Sequence, residues 1–154
     1  MPIERFSHLG LCVADIDASL RFYRDVLGFR ERTRIEVSGG LAERLLQLPS
    51  LELGAVYLER DGLRLELLHF ASPGHTGEPV ARPMNGLGLT HLSLRVSDVD
   101  AVLDRVLDAG GRVLEETRME APGGAVVAVF VLDPDGTRIE LVQSPGDVSK
   151  LPGE

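Results

Sequence analysis

At 154 residues, with 44% hydrophobic and 26% charged residues, the chain has the size and composition of one compact globular domain, not of a disordered segment. A formal charge of −8 leaves no basic stripe for phosphates, which argues against nucleic acid and membrane surfaces as partners and leaves a small molecule as the expected one. No apolar run approaches the roughly 18 to 20 residues that span a bilayer, and the start MPIERFSHLG has neither a basic leader nor a hydrophobic signal core, so a cytoplasmic location is expected.

In chain order, the first element is a run of alternating character. Leu9, Leu11 and Val13 should face a helix, which turns His8, Gly10 and Cys12 to the opposite, more polar side. Cys12 is the sole cysteine, cannot form an internal disulfide, and is expected as a small, partly buried filler. Asp15 or Asp17 caps the helix that follows, whose layer should hold Phe22, and Gly28 stops it. Strand-like runs come next, interrupted between Gly39 and Leu53 by a stretch with Leu41, Leu45, Leu46 and Leu48. That stretch suits a short helix, either covering a cavity or packing on a partner. The turn RDG then leads into a last strand in which Leu65 and Leu67 face the helix layer and Arg64 and Glu66 face away.

After a linker rich in proline and glycine, PGHTGEPVARPMNG, the pattern starts again. RFSHLGLCVADIDASLRFYRDVLGFRERT aligns with GLTHLSLRVSDVDAVLDRVLDAGGRVLEE at a constant offset of 83, placing His8 on His91, Asp15 on Asp98 and Gly28 on Gly111. LERDGLRLELLHF aligns with LDPDGTRIELVQS at an offset of 74, placing Arg64 on Arg138 and Glu66 on Glu140. The difference leaves nine extra residues in the first copy, assigned to the leucine-rich stretch. A repeat of this length implies two paired supersecondary units sharing a core. Each reads strand, helix and three strands, with module one at about 5–70, a linker at about 71–87 and module two at about 88–144 of a single domain. Two such α+β units would form a cup-shaped mixed sheet with the helices outside.

His8, Glu66, His91 and Glu140 thus occupy matching places on the polar face. Two neutral imidazoles and two carboxylates would hold a divalent first-row metal at net zero charge, with positions left for water or substrate. Nickel, zinc, cobalt, manganese and ferrous iron all accept such ligands. Arg64, Arg95 and Arg138 point the same way, and each could hold a substrate anion or make a surface ion pair. His69 and His75 lie off the repeat and are expected to be exposed, and DPDG reads as a tight turn.

The segments FSHLGLCVADIDASLRFYRDVLGF, GLTHLSLRVSDVDA and LDPDGTRIELVQ make the chain resemble the vicinal oxygen chelate superfamily, from about Arg5 to Gln143. That superfamily includes glyoxalase I, methylmalonyl-CoA epimerase, extradiol dioxygenases, fosfomycin-resistance enzymes and bleomycin-binding proteins. The resemblance implies paired βαβββ modules, a metal held by His8, Glu66, His91 and Glu140, and a homodimer, with the site built within one chain or across two. It also implies that Glu66 or Glu140 acts as the base, removing a proton next to a carbonyl through a metal-stabilised enediolate. Glutamate at position 66 is closer to glyoxalase I, because methylmalonyl-CoA epimerases commonly have glutamine there. A ring-cleaving dioxygenase needs only two histidines and one carboxylate, so a fourth ligand speaks against it. A binding protein without turnover would favour aromatic stacking, and the chain has no tryptophan, two tyrosines and five phenylalanines, with Phe6 placed to face the cup.

Overall fold

A computed structural model describes residues 2–150. The chain divides into two compact units, Met1–Gly77 and Glu78–Glu154. The first contains β1 (Leu9–Cys12), α1 (Ile16–Leu20), β2 (Arg30–Ser38), α2 (Gly40–Leu46), β3 (Glu52–Arg60) and β4 (Leu63–Ser72). The second contains β5 (Leu92–Arg95), α3 (Val99–Asp108), β6 (Arg112–Glu120), β7 (Val127–Leu132) and β8 (Arg138–Gln143). Each is a βαβββ module with an open four-stranded mixed sheet, ordered β1-β4-β3-β2 in one and β5-β8-β7-β6 in the other. The first strand runs parallel to the last, and the remaining neighbours are antiparallel. The architecture is the α+β arrangement expected from the repeat.

Both main helices begin at an aspartate. The Asp15 carboxylate accepts from the backbone N–H groups of Asp17 and Ala18, both at 2.9 Å, and Asp98 accepts from Ala101 at 3.1 Å. The copies then diverge by one residue. In the first, α1 continues as a π-helical turn, Arg21–Val26, closed by bonds such as Leu27 N–H to the Phe22 carbonyl. That wider turn absorbs the extra residue, so the glycine that leaves each helix with a positive φ is Gly28 in one copy and Gly110, not Gly111, in the other. The second hairpin loop is one residue longer than the first, so the third strands correspond at 73 positions while the fourth strands correspond at 74. Most of the first copy's excess lies between β2 and β3, where α2 forms and leaves Leu41 89% and Leu45 81% exposed.

The cores lie on the helix side of each sheet. Leu58, Leu65 and Leu67 are fully buried in the first unit with Phe22 and Tyr23, and Val131, Ile139 and Leu141 are fully buried in the second with Val99 and Val106. Alternation therefore sends Glu66 and Glu140 to the other side. Two expectations fail. Cys12 is exposed, because it shares the side of β1 that carries His8 and Gly10, away from the helix layer. His69 is half-buried, because it lies on the helix side of β4 opposite Gly54, whose missing side chain leaves a recess of about 230 Å³ there. His75 is exposed, as expected, and Phe6 is 62% exposed.

Two stability measurements follow from this packing. Leu67→Ala should cost about 2 to 5 kcal/mol in urea unfolding, as a fully buried leucine does, whereas Leu45→Ala should change stability by no more than about 0.5 kcal/mol. The Asp15 carboxyl is held below its ordinary value of 3.8, chiefly by the Ala18 N–H. Its charge therefore adds stability that is present above 3.8 and is lost as pH falls through the lower folded value. Wild type should lose its advantage over Asp15→Asn in that acidic window, and a constant difference down to pH 2 would contradict the assignment.

Candidate metal centre

The parallel pairing of first and last strands builds two similar half-sites. In the first, β1 runs beside β4 with Gly10 opposite Glu66, and His8, just before β1, brings its Nε2 to 3.0 Å from a Glu66 carboxylate oxygen. In the second, β5 runs beside β8 with Ser93 opposite Glu140, and His91 Nε2 is 3.7 Å from a Glu140 oxygen. The sequence expected His8 with Glu66 and His91 with Glu140 on one face, and within each unit the pair is together. Among the described residues no group of three or more His, Cys, Asp or Glu side chains comes together.

The surroundings repeat as well. Each imidazole has a hydroxyl at its Nδ1, Ser7 Oγ for His8 and Thr90 Oγ1 for His91, both at 2.9 Å. Each imidazole also meets an aromatic ring edge to face, Tyr57 for His8 and Phe130 for His91, with centroids 5.4 Å apart in both cases. These rings stand directly across the sheet from the glutamates, Tyr57 opposite Glu66 and Phe130 opposite Glu140. With Nδ1 occupied by a hydroxyl and the ring steadied from the side, Nε2 is the nitrogen turned to the carboxylate, the arrangement that orients histidine ligands in metal sites.

The spacing suits two donors on one ion. Donors each about 2.1 Å from a metal lie about 3.0 Å apart at a right angle and about 3.4 Å apart at the tetrahedral angle. The observed 3.0 and 3.7 Å bracket those values. Within each unit the histidine and glutamate therefore fit two ligands of a divalent ion in donor type and spacing.

Ser93 donates its hydroxyl to Glu140 at 2.7 Å. Tyr57 stands across the sheet from Glu66, and that carboxylate, followed by burial, pushes the phenol's pKa up to about 12. Tyr57 consequently stays a neutral phenol at any pH near 7. Glu66 is the more enclosed carboxylate, with 13% of its side chain exposed against 29% for Glu140.

The three arginines considered for substrate binding take different parts. Arg95 donates to the backbone carbonyls of Ser144 and Pro145 at 2.8 Å and of Asp147 at 3.0 Å, so it ties down the chain after β8. Arg138 lies over the Phe130 ring at 5.6 Å and donates to the Arg82 carbonyl. Arg64 pairs with Glu59 at 2.9 Å. Arg64 and Glu59, with Arg32, Thr33, Leu58 and Tyr57, line an open recess of about 260 Å³. The DPDG segment is a turn pinned by Asp133, which is fully buried and accepts from the Asp135 and Thr137 N–H groups.

The sequence reading missed Ser7, Thr90, Tyr57 and Phe130 and gave Ser93 no role. Ser7 with Thr90, and Gly10 with Ser93, were visible at the offset of 83. Tyr57 with Phe130 was hidden, because the 74-residue alignment places Tyr57 on Val131.

The chain is 33% identical over 141 residues to a probable lactoylglutathione lyase from Synechocystis sp., covering 89% of this chain and 93% of that protein. It is 30% identical over 146 residues to an ethylmalonyl-CoA/methylmalonyl-CoA epimerase from Cereibacter sphaeroides, covering 92% and 98%. The crystal structure of a glyoxalase family protein from Bacillus cereus superposes with a TM-score of 0.80, covering 95% of this chain and 97% of the other at 21% identity, a likeness of fold alone. The model of the Glyoxalase/Bleomycin resistance protein/Dioxygenase superfamily matches residues 5–141, and the chain belongs to that superfamily.

Proposed function

We propose that the protein is a divalent-metal-dependent lyase or isomerase of the glyoxalase and epimerase type, and that His8 and Glu66 with His91 and Glu140 supply the ligands of one metal. The observation that supports this most is the recurrence of a histidine–glutamate pair at ligand spacing in both copies of the repeat. When bound, a divalent ion supplies the positive charge that stabilises the enolate-type anion left by removal of a proton next to a carbonyl. The glutamates move the proton. A carboxylate oxygen of Glu66 or Glu140 takes it as the C–H bond breaks, then returns it to the neighbouring carbon for isomerisation; for epimerisation the other glutamate, in its protonated form, delivers a proton to the opposite face of the same carbon.

The substrate class follows the relatives: a hydroxy carbonyl adduct of a thiol, or a thioester with an acidic α-carbon. The recess next to Tyr57 is smaller than the 300 Å³ or more of typical ligand pockets, so it takes only part of such a molecule. We further propose a cytoplasmic homodimer, to be read by light scattering on the purified protein. No helix among the described residues is long and apolar enough to cross a membrane.

The first test is metal content by mass spectrometry on untagged protein. Wild type should carry near-stoichiometric nickel, zinc, cobalt, manganese or iron, and His8→Ala and Glu140→Ala should both lose it. Loaded wild type in heavy water should then exchange deuterium into the α-carbon of a hydroxy thioester. No metal under any loading condition, with ligand binding that quenches tyrosine emission and no turnover, would move the reading to a small-molecule binding protein. Oxygen uptake with a catechol would move it to a ring-cleaving dioxygenase.

Ser7→Ala and Thr90→Val should each weaken metal binding by about tenfold or more, the usual effect of removing the partner of a ligand histidine. Unchanged affinity in both would remove the orienting role assigned to those hydroxyls.

A further inference from the structure

Strand β2 carries one residue more than its partner strand can match. Glu31 lies opposite Leu58 and Thr33 opposite Tyr57, so Arg32 is an extra residue between them, a β-bulge. Plain alternation would turn Arg32 and Thr33 to opposite faces of the sheet. Instead both line the recess of about 260 Å³, together with Tyr57, Glu59 and Arg64. The second copy has no insertion there: Arg112, Val113 and Leu114 pair in unbroken register with Leu132, Val131 and Phe130. With Phe130 in the place of Tyr57, Leu114 stands where the first copy has Thr33, Leu132 where it has Glu59, and nothing where it has Arg32. The bulge and its arginine belong to the first copy alone.

Charge in the recess is unevenly matched. Arg64 Nε donates to Glu59 at 2.9 Å, its one hydrogen bond among the described residues. Arg32 makes no hydrogen bond and no ion pair among the described residues, although Glu59 feels its charge along with those of Arg64 and Arg30. Two guanidinium groups and one carboxylate leave the lining with an excess of one positive charge, in a chain whose net charge is −8. Tyr57 connects this recess to the first half-site, because it lies opposite Glu66 across the sheet and packs its ring on His8. Arg64 precedes Glu66 by two residues on β4, hence on the same side of the strand and about 7 Å along it.

We infer that the recess is an anion subsite, in which Arg32 and the terminal nitrogens of Arg64 hold a carboxylate or phosphate of the substrate while the reacting carbon lies at the half-site. The inference rests on the metal reading for where the reaction takes place, and deepens it by giving the substrate a negative group several bonds from the reacting carbon. Guanidinium suits the task because its planar fork offers parallel N–H donors to either anion. Glu59 fixes Arg64 through Nε and leaves its two terminal nitrogens for a ligand. The bulge adds the second guanidinium without disturbing the pairing that resumes at Thr33.

The experiment uses the metal-free protein, so that no bound ion can capture the anion. Inorganic phosphate and succinate are titrated separately, at constant ionic strength, into isotope-labelled wild type, Arg32→Gln and Arg44→Gln, and the arginine Nε–H and Tyr57 amide signals are followed by NMR. Arg44 serves as the control, an arginine on α2 outside the recess. Wild type should show saturable shifts at Arg64 and Tyr57. Arg32→Gln should weaken the anion about tenfold or more, as loss of a hydrogen bond to a charged group does, and Arg44→Gln should match wild type. The anion bound more tightly identifies the group on the substrate. Absence of saturable shifts with both anions overturns the inference, as does equal weakening in the two variants, which would reduce the effect to bulk charge. A protein that binds the anion but takes up none of the candidate metals takes down the metal reading and keeps the anion subsite; one that takes up metal and binds neither anion does the reverse.

Discussion

The parallel contact between the first and last strand of each copy is the constraint on which the candidate site depends. A parallel pair cannot be closed by a tight turn, so the chain must travel through a helix and two further strands before it returns. The return places the two ends of the copy side by side at a fixed register, Leu9 opposite Leu65 and Leu92 opposite Ile139. A histidine before the first strand and a glutamate in the last are 58 residues apart in the first copy and 49 in the second, yet the register makes them neighbours. The apolar residues that enforce it are the ones buried most completely, Leu65 and Leu67 in one copy and Ile139 and Leu141 in the other. A slip of one residue would turn those side chains to solvent and the glutamates into the core.

That coupling explains why so much of the site was legible in the sequence. The period-2 pattern of β4 and β8 had to be read correctly to find the core, and the same pattern fixed the side on which Glu66 and Glu140 lie. Asp15, Asp98 and the glycine stops were legible because helix ends need particular side chains. The tyrosine and phenylalanine flanking the histidines were not. They sit on strands whose correspondence is shifted by the one-residue difference between hairpin loops, and an alignment anchored on the turn reads them out of phase. The π-helical turn hid the equivalence of Gly28 and Gly110 for the same reason. Identities of residues survive small changes in loop length; offsets do not.

Charge was the least legible layer. Alternation placed Arg64, Arg95 and Arg138 on the face that carries the glutamates, but a guanidinium is long enough to leave the place its Cα assigns it. Arg95 turns to the carbonyls that follow β8, and Arg138 is shared between the Phe130 ring and the Arg82 carbonyl. Of the three, Arg64 alone lines the recess next to Tyr57, where it is already paired with Glu59. No arginine pairs with either glutamate among the described residues: Glu66 meets His8 at 3.0 Å and Glu140 accepts the Ser93 hydroxyl at 2.7 Å. An arginine bound to a glutamate would compete with a divalent cation for the same oxygens and add like charge beside it, whereas a hydroxyl orients the carboxylate without neutralising it.

The half-sites are alike in parts and unequal in how firmly they hold them. Glu66 is closer to its histidine, more enclosed, and faces Tyr57, whose ring packs on His8. Glu140 stands farther from its histidine, is about twice as exposed, and accepts the Ser93 hydroxyl. A carboxylate that acts as a base has to swing between two positions, whereas one that only holds a metal gains from being fixed. On that criterion Glu66 is the more firmly held of the two carboxylates and Glu140 the freer.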